Sequence, residues 1–137
     1  MKRVKLDMSL MGVHPIIERI TRARVKDVIV RDDTYYIIVQ NGQLFKALGK
    51  KCANIAPLRE KLGKPVRIFE YNDDPIIFFQ NMTHPLKFES VTIENEAIIV
   101  KDSNRQTKSL LIGRGGKNLS FYKEVVSRYF PHDIKVE

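Results

Sequence analysis

The sequence predicts an α+β protein in which one small layout, α-β-β-α-α-β, is laid down twice along 137 residues. Three observations carry that expectation. The chain repeats its own landmarks in the same order, and each copy holds two Val/Ile/Tyr-rich runs separated by a polar turn. Each copy also has a glycine closing a short helical stretch, with an asparagine following at the same spacing, Gly49 to Asn54 and Gly113 to Asn118.

In the first copy a helix is predicted over roughly Ser9 to Arg22. Strands follow at Asp27 to Val30 and Tyr35 to Val39, joined by the turn Arg31-Asp32-Asp33-Thr34. A short helix ends at Gly49, and a second carries Ile55, Leu58 and Leu62 at helical spacing before Gly63 stops it. Pro65 to Tyr71 is the last strand. In the second copy a helix is predicted near Asp73 to Asn81, capped by Asp73 or Asp74 with Pro75 in its first turn. Strands at Ser90 to Ile93 and Ala97 to Val100 flank the turn Glu94-Asn95-Glu96. A short helix ends at Gly113, and the next repeats Leu119, Tyr122, Val125, Val126 and Tyr129 until Pro131 ends it. His132 to Glu137 closes the copy.

The predicted domains are therefore 1–71 and 72–137. Units this small bury only about 60% of their surface. Packing of one on the other is expected, and the short join at residues 71–74 predicts a nearly fixed orientation.

The net charge of +8 points to an anionic partner, with nucleic acid ahead of a membrane surface. Residues 1–71 hold 15 Lys+Arg against 7 Asp+Glu, whereas residues 72–137 hold 9 against 9. The first copy thus carries the whole excess. No apolar run is long enough to span a membrane, and the Met1-to-Asp7 start does not read as a secretory signal. The single Cys52 excludes an internal disulfide and fits a reducing, cytoplasmic setting.

The most informative segment is Leu110-Leu111-Ile112-Gly113-Arg114-Gly115-Gly116-Lys117-Asn118-Leu119. Two glycines bracket a two-residue tip between helices. Lacking Cβ atoms, they let the chain turn sharply and a nucleic-acid backbone come close. The helix that starts there offers free N–H groups and its positive dipole end to phosphate. Arg114 and Lys117 add charge at the same place. A mononucleotide P-loop is excluded, because the glycine spacing is wrong and Asn118 stands where Ser or Thr is needed. The first copy reads Gly49-Lys50-Lys51-Cys52, so Cys52 replaces the last glycine. A side chain there is expected to crowd a phosphate or to alter the turn.

The repeat order and the Ile-Gly-Arg-Gly-Gly-Lys-Asn-Leu segment resemble a KH domain of the second topological type, as found in NusA transcription factors. A pair of such domains, from about Ser9 to Glu137, is similar to the short archaeal NusA-like proteins. The resemblance implies a tandem KH fold whose G-x-x-G loop clamps the backbone of single-stranded RNA. The implied contacts are Ile112, Gly113, Arg114, Gly115, Gly116, Lys117, Asn118 and Leu119. Lys46, Gly49, Lys50 and Lys51 are assigned to the first copy as a mainly electrostatic hold.

Other features point elsewhere less well. His14, His84, His132 and Cys52 lack metal-ligand spacing, so neither a metal nor a cofactor is expected. The pairs Asp32-Asp33 and Asp73-Asp74 suit turns and helix starts. Tyr35, Tyr36, Phe78, Phe79, Phe121 and Tyr122 read as core, with Tyr35 and Tyr122 the candidates for exposure. No base and nucleophile fall together, so an enzyme is not expected. The expectation is an RNA-binding factor in transcription, with RNA polymerase as a protein partner and a monomeric state. An rRNA-binding or ribosome-assembly factor, or a protein-interaction adaptor, is the alternative.

Overall fold

The computed structural model describes residues 12–137, which fall into two compact units, 12–72 and 73–137. Each is a mixed α+β unit with one three-stranded sheet, and the element order is helix, strand, strand, helix, helix, strand. In the first predicted helix, residues 9–11 lie outside the described part.

The first unit contains α1 (Val13–Thr21), β1 (Val25–Arg31), β2 (Thr34–Val39), α2 (Leu44–Leu48), α3 (Ile55–Leu62) and β3 (Val66–Glu70). Val13, Ile17 and Ile20 fall on one stripe of α1 and pack against the core. The helix stops at Arg22, which turns left-handed at φ 59 while its N–H donates to the Glu18 carbonyl at 2.7 Å. Asp32 and Asp33 form the β1–β2 turn at φ 50 and 62. Two left-handed central residues give a hairpin turn whose twist matches that of the strands, and Asp tolerates that region. Lys64 Nζ donates to Asp33 Oδ1 at 2.6 Å, tying this turn to the segment before β3. That hydrogen bond and the carboxylate charge raise the Lys64 pKa.

Ile37 and Val39 of β2 face a core completed by Ile17, Val25, Val28, Ala47, Leu58 and Val66. Ile38, which alternation sends to the other face, is equally buried. A central strand buried on both faces reads as one continuous apolar run, and Tyr35 to Val39 does so. β1 pairs with β2 antiparallel, whereas β2 pairs with β3 parallel. Parallel neighbours need a crossover between them. Here α2 and α3 supply it, and the Gly49 loop is its midpoint.

The second unit contains α4 (Pro75–Thr83), β4 (Ser90–Glu94), β5 (Ala97–Lys101), α5 (Arg105–Ile112), α6 (Lys117–Tyr129) and β6 (Asp133–Val136). Of the two candidate caps, Asp74 acts: its Oδ1 accepts from the Ile76 N–H at 2.9 Å. The helix continues to Thr83, beyond the predicted Asn81, because Phe78, Phe79, Met82 and Thr83 are all buried there. Asn95 and Glu96 make the β4–β5 turn at φ 49 and 60. Again β5 is central, antiparallel to β4 and parallel to β6, so α5 and α6 form the crossover around Gly113. Phe130, preceding Pro131, is extended and ends α6.

Candidate nucleic-acid interface

The Gly113 loop is held by two constraints. Gly113 sits at φ 76, ψ 170, a region open essentially to glycine alone. A Cβ added there would lie 2.7 Å from Asn118 Cγ and 2.9 Å from the Asn118 backbone nitrogen. Asn118 fills that space because its Nδ2 donates to the Leu110 carbonyl at 3.0 Å, satisfying an acceptor at the end of α5. The Gly116 N–H donates to the Gly113 carbonyl at 3.1 Å and closes the turn. Gly115 and Gly116 are left-handed at φ 64 and 77, with nothing within 4 Å of an added Cβ at either. Between them, the asparagine and first glycine set the shape, and the later glycines leave the tip bare.

The first unit repeats this geometry atom for atom where it can. Gly49 has φ 77, ψ 172, and an added Cβ would come 2.9 Å from Asn54 Cγ. Asn54 Nδ2 donates to the Ala47 carbonyl at 3.0 Å and to that of Lys46 at 3.3 Å. The Cys52 N–H donates to the Gly49 carbonyl at 3.0 Å. Lys51 and Cys52 take φ 53 and 59, the left-handed region that Gly115 and Gly116 occupy in the other copy. The expectation that Cys52 alters the turn is therefore corrected. The turn is kept, and the cost is backbone strain on the order of 1 kcal/mol at each non-glycine position.

Arg114, Gly115, Lys117 and Asn118 are exposed, while Ile112, Gly113, Gly116 and Leu119 are half-buried. Lys46, Lys50 and Lys51 are exposed and Gly49 is half-buried. The fold thus gathers Ile112 to Leu119 on one loop and the helix ends that flank it, and Lys46 with Gly49, Lys50 and Lys51 around the other. Cys52 is exposed in the loop itself, not packed at the start of α3.

Among the aromatic candidates, Phe78, Phe79 and Phe121 are core residues. Tyr35, Tyr36 and Tyr122 are half-buried, and Tyr122 stands edge-on to Phe79. The aromatic that sequence reasoning missed is Phe45, 88% exposed on α2. Its carbonyl accepts from the Gly49 N–H at 3.0 Å, so it stands one turn ahead of the cationic loop. A five-residue helix is too short for periodicity to say which side faces water. Among the described residues, no three His, Cys, Asp or Glu side chains could together hold a metal ion. No helix among them is long and apolar enough to cross a membrane.

No protein-family model matches the chain. Proteins named probable transcription termination protein NusA do resemble it. That of Methanocaldococcus jannaschii is 26% identical over 132 residues, covering 94% of this chain and 72% of its own length. That of Thermoplasma acidophilum is 26% identical over 133 residues, covering 95% and 92%. That of Halococcus morrhuae is 27% identical over 133 residues, covering 96% of both. Among solved structures, the crystal structure of APE1850 matches with a TM-score of 0.76 at 25% identity, over 96% of this chain and 100% of the other. In its fold and over nearly its whole length, the chain is therefore similar to the archaeal proteins named NusA.

Proposed function

We propose that this protein binds single-stranded RNA through two KH-type units and acts in transcription elongation or termination, with RNA polymerase as its protein partner. The observation that carries the reading is the pair of exposed, cationic turns that share one backbone path although their sequences differ. In the second unit, where Gly115 and Gly116 hold the left-handed positions, a sugar-phosphate strand reaches the main-chain amides with no Cβ of theirs in the way. In the second unit Arg114 and Lys117 flank the bare tip and Ile112 and Leu119 offer apolar contact to a base. In the first unit Lys50 and Lys51 occupy the tip, so its grip is mainly electrostatic. The names of the relatives support the process, since the fold alone would serve many.

Gly115→Asp tests the clamp better than a change at Gly113, because Gly115 has open space and an ordinary left-handed conformation. A carboxylate at the tip repels phosphate without rebuilding the turn. Single-stranded RNA should be retained by the intact protein at low salt and largely lost by Gly115→Asp, with an unchanged far-UV circular dichroism spectrum. Equal retention by both proteins would refute the assignment. Crosslinking in cells then separates the processes: nascent messenger transcripts support transcription, and precursor ribosomal RNA supports ribosome assembly.

A further inference from the structure

We propose that the first unit carries a second RNA-backbone contact, a cationic cleft lined by Arg22, Arg24 and Lys46, beyond the loop itself. The inference rests on the RNA-binding reading above and extends the track that a bound strand follows.

Residues far apart in sequence meet at this cleft for identifiable reasons. Arg22 ends α1 in a left-handed turn, which swings the chain toward β1. The Arg24 carbonyl accepts from the Gln40 N–H at 2.9 Å, and the Arg24 N–H donates to Gln43 Oε1 at 3.1 Å. The junction of α1 and β1 is thereby stitched to the connection between β2 and α2. The open cleft so formed has a volume of about 770 Å³, and Gln40, Asn41 and Gln43 are among the residues that line it.

The chemistry of the lining selects the ligand. Sites for small apolar molecules are lined mostly by hydrophobic and aromatic groups, but Val25 is the sole hydrophobic residue lining this cleft. Three cations and three amides suit phosphate and ribose oxygens instead. Glu18, the acidic residue in the lining, has its Oε2 occupied by the Val25 N–H at 2.9 Å. Among the described residues, no ion pair engages Arg22, Arg24 or Lys46.

The fold itself does not require these charges. In the second unit the Thr83 hydroxyl donates to the Phe79 carbonyl as the Thr21 hydroxyl does to that of Ile17, which makes His84 the counterpart of Arg22. Asn118 donates to the Leu110 carbonyl as Asn54 does to that of Lys46, so Leu110 takes the place of Lys46. In the second unit the strand-to-helix connection is instead fastened by acidic groups: Asp102 Oδ2 accepts from the Glu89 N–H, and the Ser103 hydroxyl donates to Glu89. The cationic version belongs to the first unit alone.

Lys46 connects cleft and loop. It is among the residues that line the cleft, and its carbonyl accepts from the Asn54 amide that fixes the loop. A strand gripped at Lys50 and Lys51 can therefore continue past α2 onto the two arginines.

The test uses the full chain, with labelled oligouridylates of about four and about ten nucleotides and a salt series read by fluorescence anisotropy. Arg22→Gln/Arg24→Gln should leave the shorter oligomer bound as before. For the longer oligomer it should lower the slope of log affinity against log salt by about 1.4, roughly 0.7 for each phosphate that is no longer neutralised. Asn41→Lys, which adds a cation at the exposed rim, should raise that slope by about 0.7. Unchanged slopes for both variants, with Gly115→Asp still abolishing binding, would overturn the cleft and spare the RNA reading. Failure of the intact protein to bind either oligomer at low salt would overturn that reading, and the cleft with it.

Discussion

Gly113→Ala is a small change with a large expected consequence. At φ 76, ψ 170 an alanine incurs on the order of 1–3 kcal/mol of backbone strain. Its Cβ would also stand 2.7 Å from Asn118 Cγ, so the amide must swing away and give up its bond to the Leu110 carbonyl. A net hydrogen bond contributes about 1 kcal/mol, and that carbonyl lies near solvent, which limits the penalty. The expected destabilisation of the second unit is therefore roughly 2–4 kcal/mol. Gly115→Ala is the control. It has φ 64, ψ 20 and no neighbour within 4 Å, so about 1 kcal/mol of strain is largely offset by lower chain entropy in the unfolded state. Urea unfolding followed by far-UV circular dichroism measures both, the chain having no tryptophan. In an Asn118→Ala background the Gly113→Ala cost should shrink by about 1 kcal/mol, because the side-chain clash and the hydrogen bond it breaks are gone while the approach to the backbone nitrogen stays. Equal costs at Gly113 and Gly115, or no coupling to Asn118, would refute the claim that the asparagine and first glycine set the turn.

Three further outcomes follow from named groups. Asn104→Ala should destabilise the second unit by about 1 kcal/mol in the same urea assay, since Asn104 Oδ1 accepts from the Gln106 and Thr107 N–H groups at the start of α5. Phe45→Ala should weaken binding of single-stranded RNA by roughly 1–3 kcal/mol in a titration if a base stacks on its exposed ring, and leave the salt slope untouched. Lys50→Gln/Lys51→Asn should do the converse: the slope falls by about 1.4, and the turn persists because asparagine tolerates the left-handed position at 51.

The repeat was legible because its landmarks are chemical: apolar runs, turn residues, and glycine followed by asparagine at fixed spacing. Strand limits moved by a residue or two, and the Asp32-Asp33 and Asn95-Glu96 turns fell where the polar residues lie. The two-faced burial of β2 and β5 was not anticipated, although their unbroken apolar runs are the signal for it. Which strands run parallel was not, since it depends on long-range pairing that no local pattern encodes. The Asn104 cap escaped notice because it lies in a connection with no periodicity to flag it. Phe45 was missed for a related reason, a helix too short to have a readable face. Lys46 was legible beside the loop, whereas Arg22 and Arg24 look like scattered surface charge until the Arg24–Gln40 hydrogen bond brings their segment beside it.

Lys51 and Cys52 hold the same left-handed conformations as two glycines, and this changes how such turns are to be found in other chains. A search keyed to glycine at both ends of the tip would discard the first unit of this protein and keep the second. Glycine with asparagine five places on would retain both, because those two residues interlock whatever occupies the tip. The intervening positions are then free to vary in charge and bulk, so one scaffold can carry different tips without being refolded.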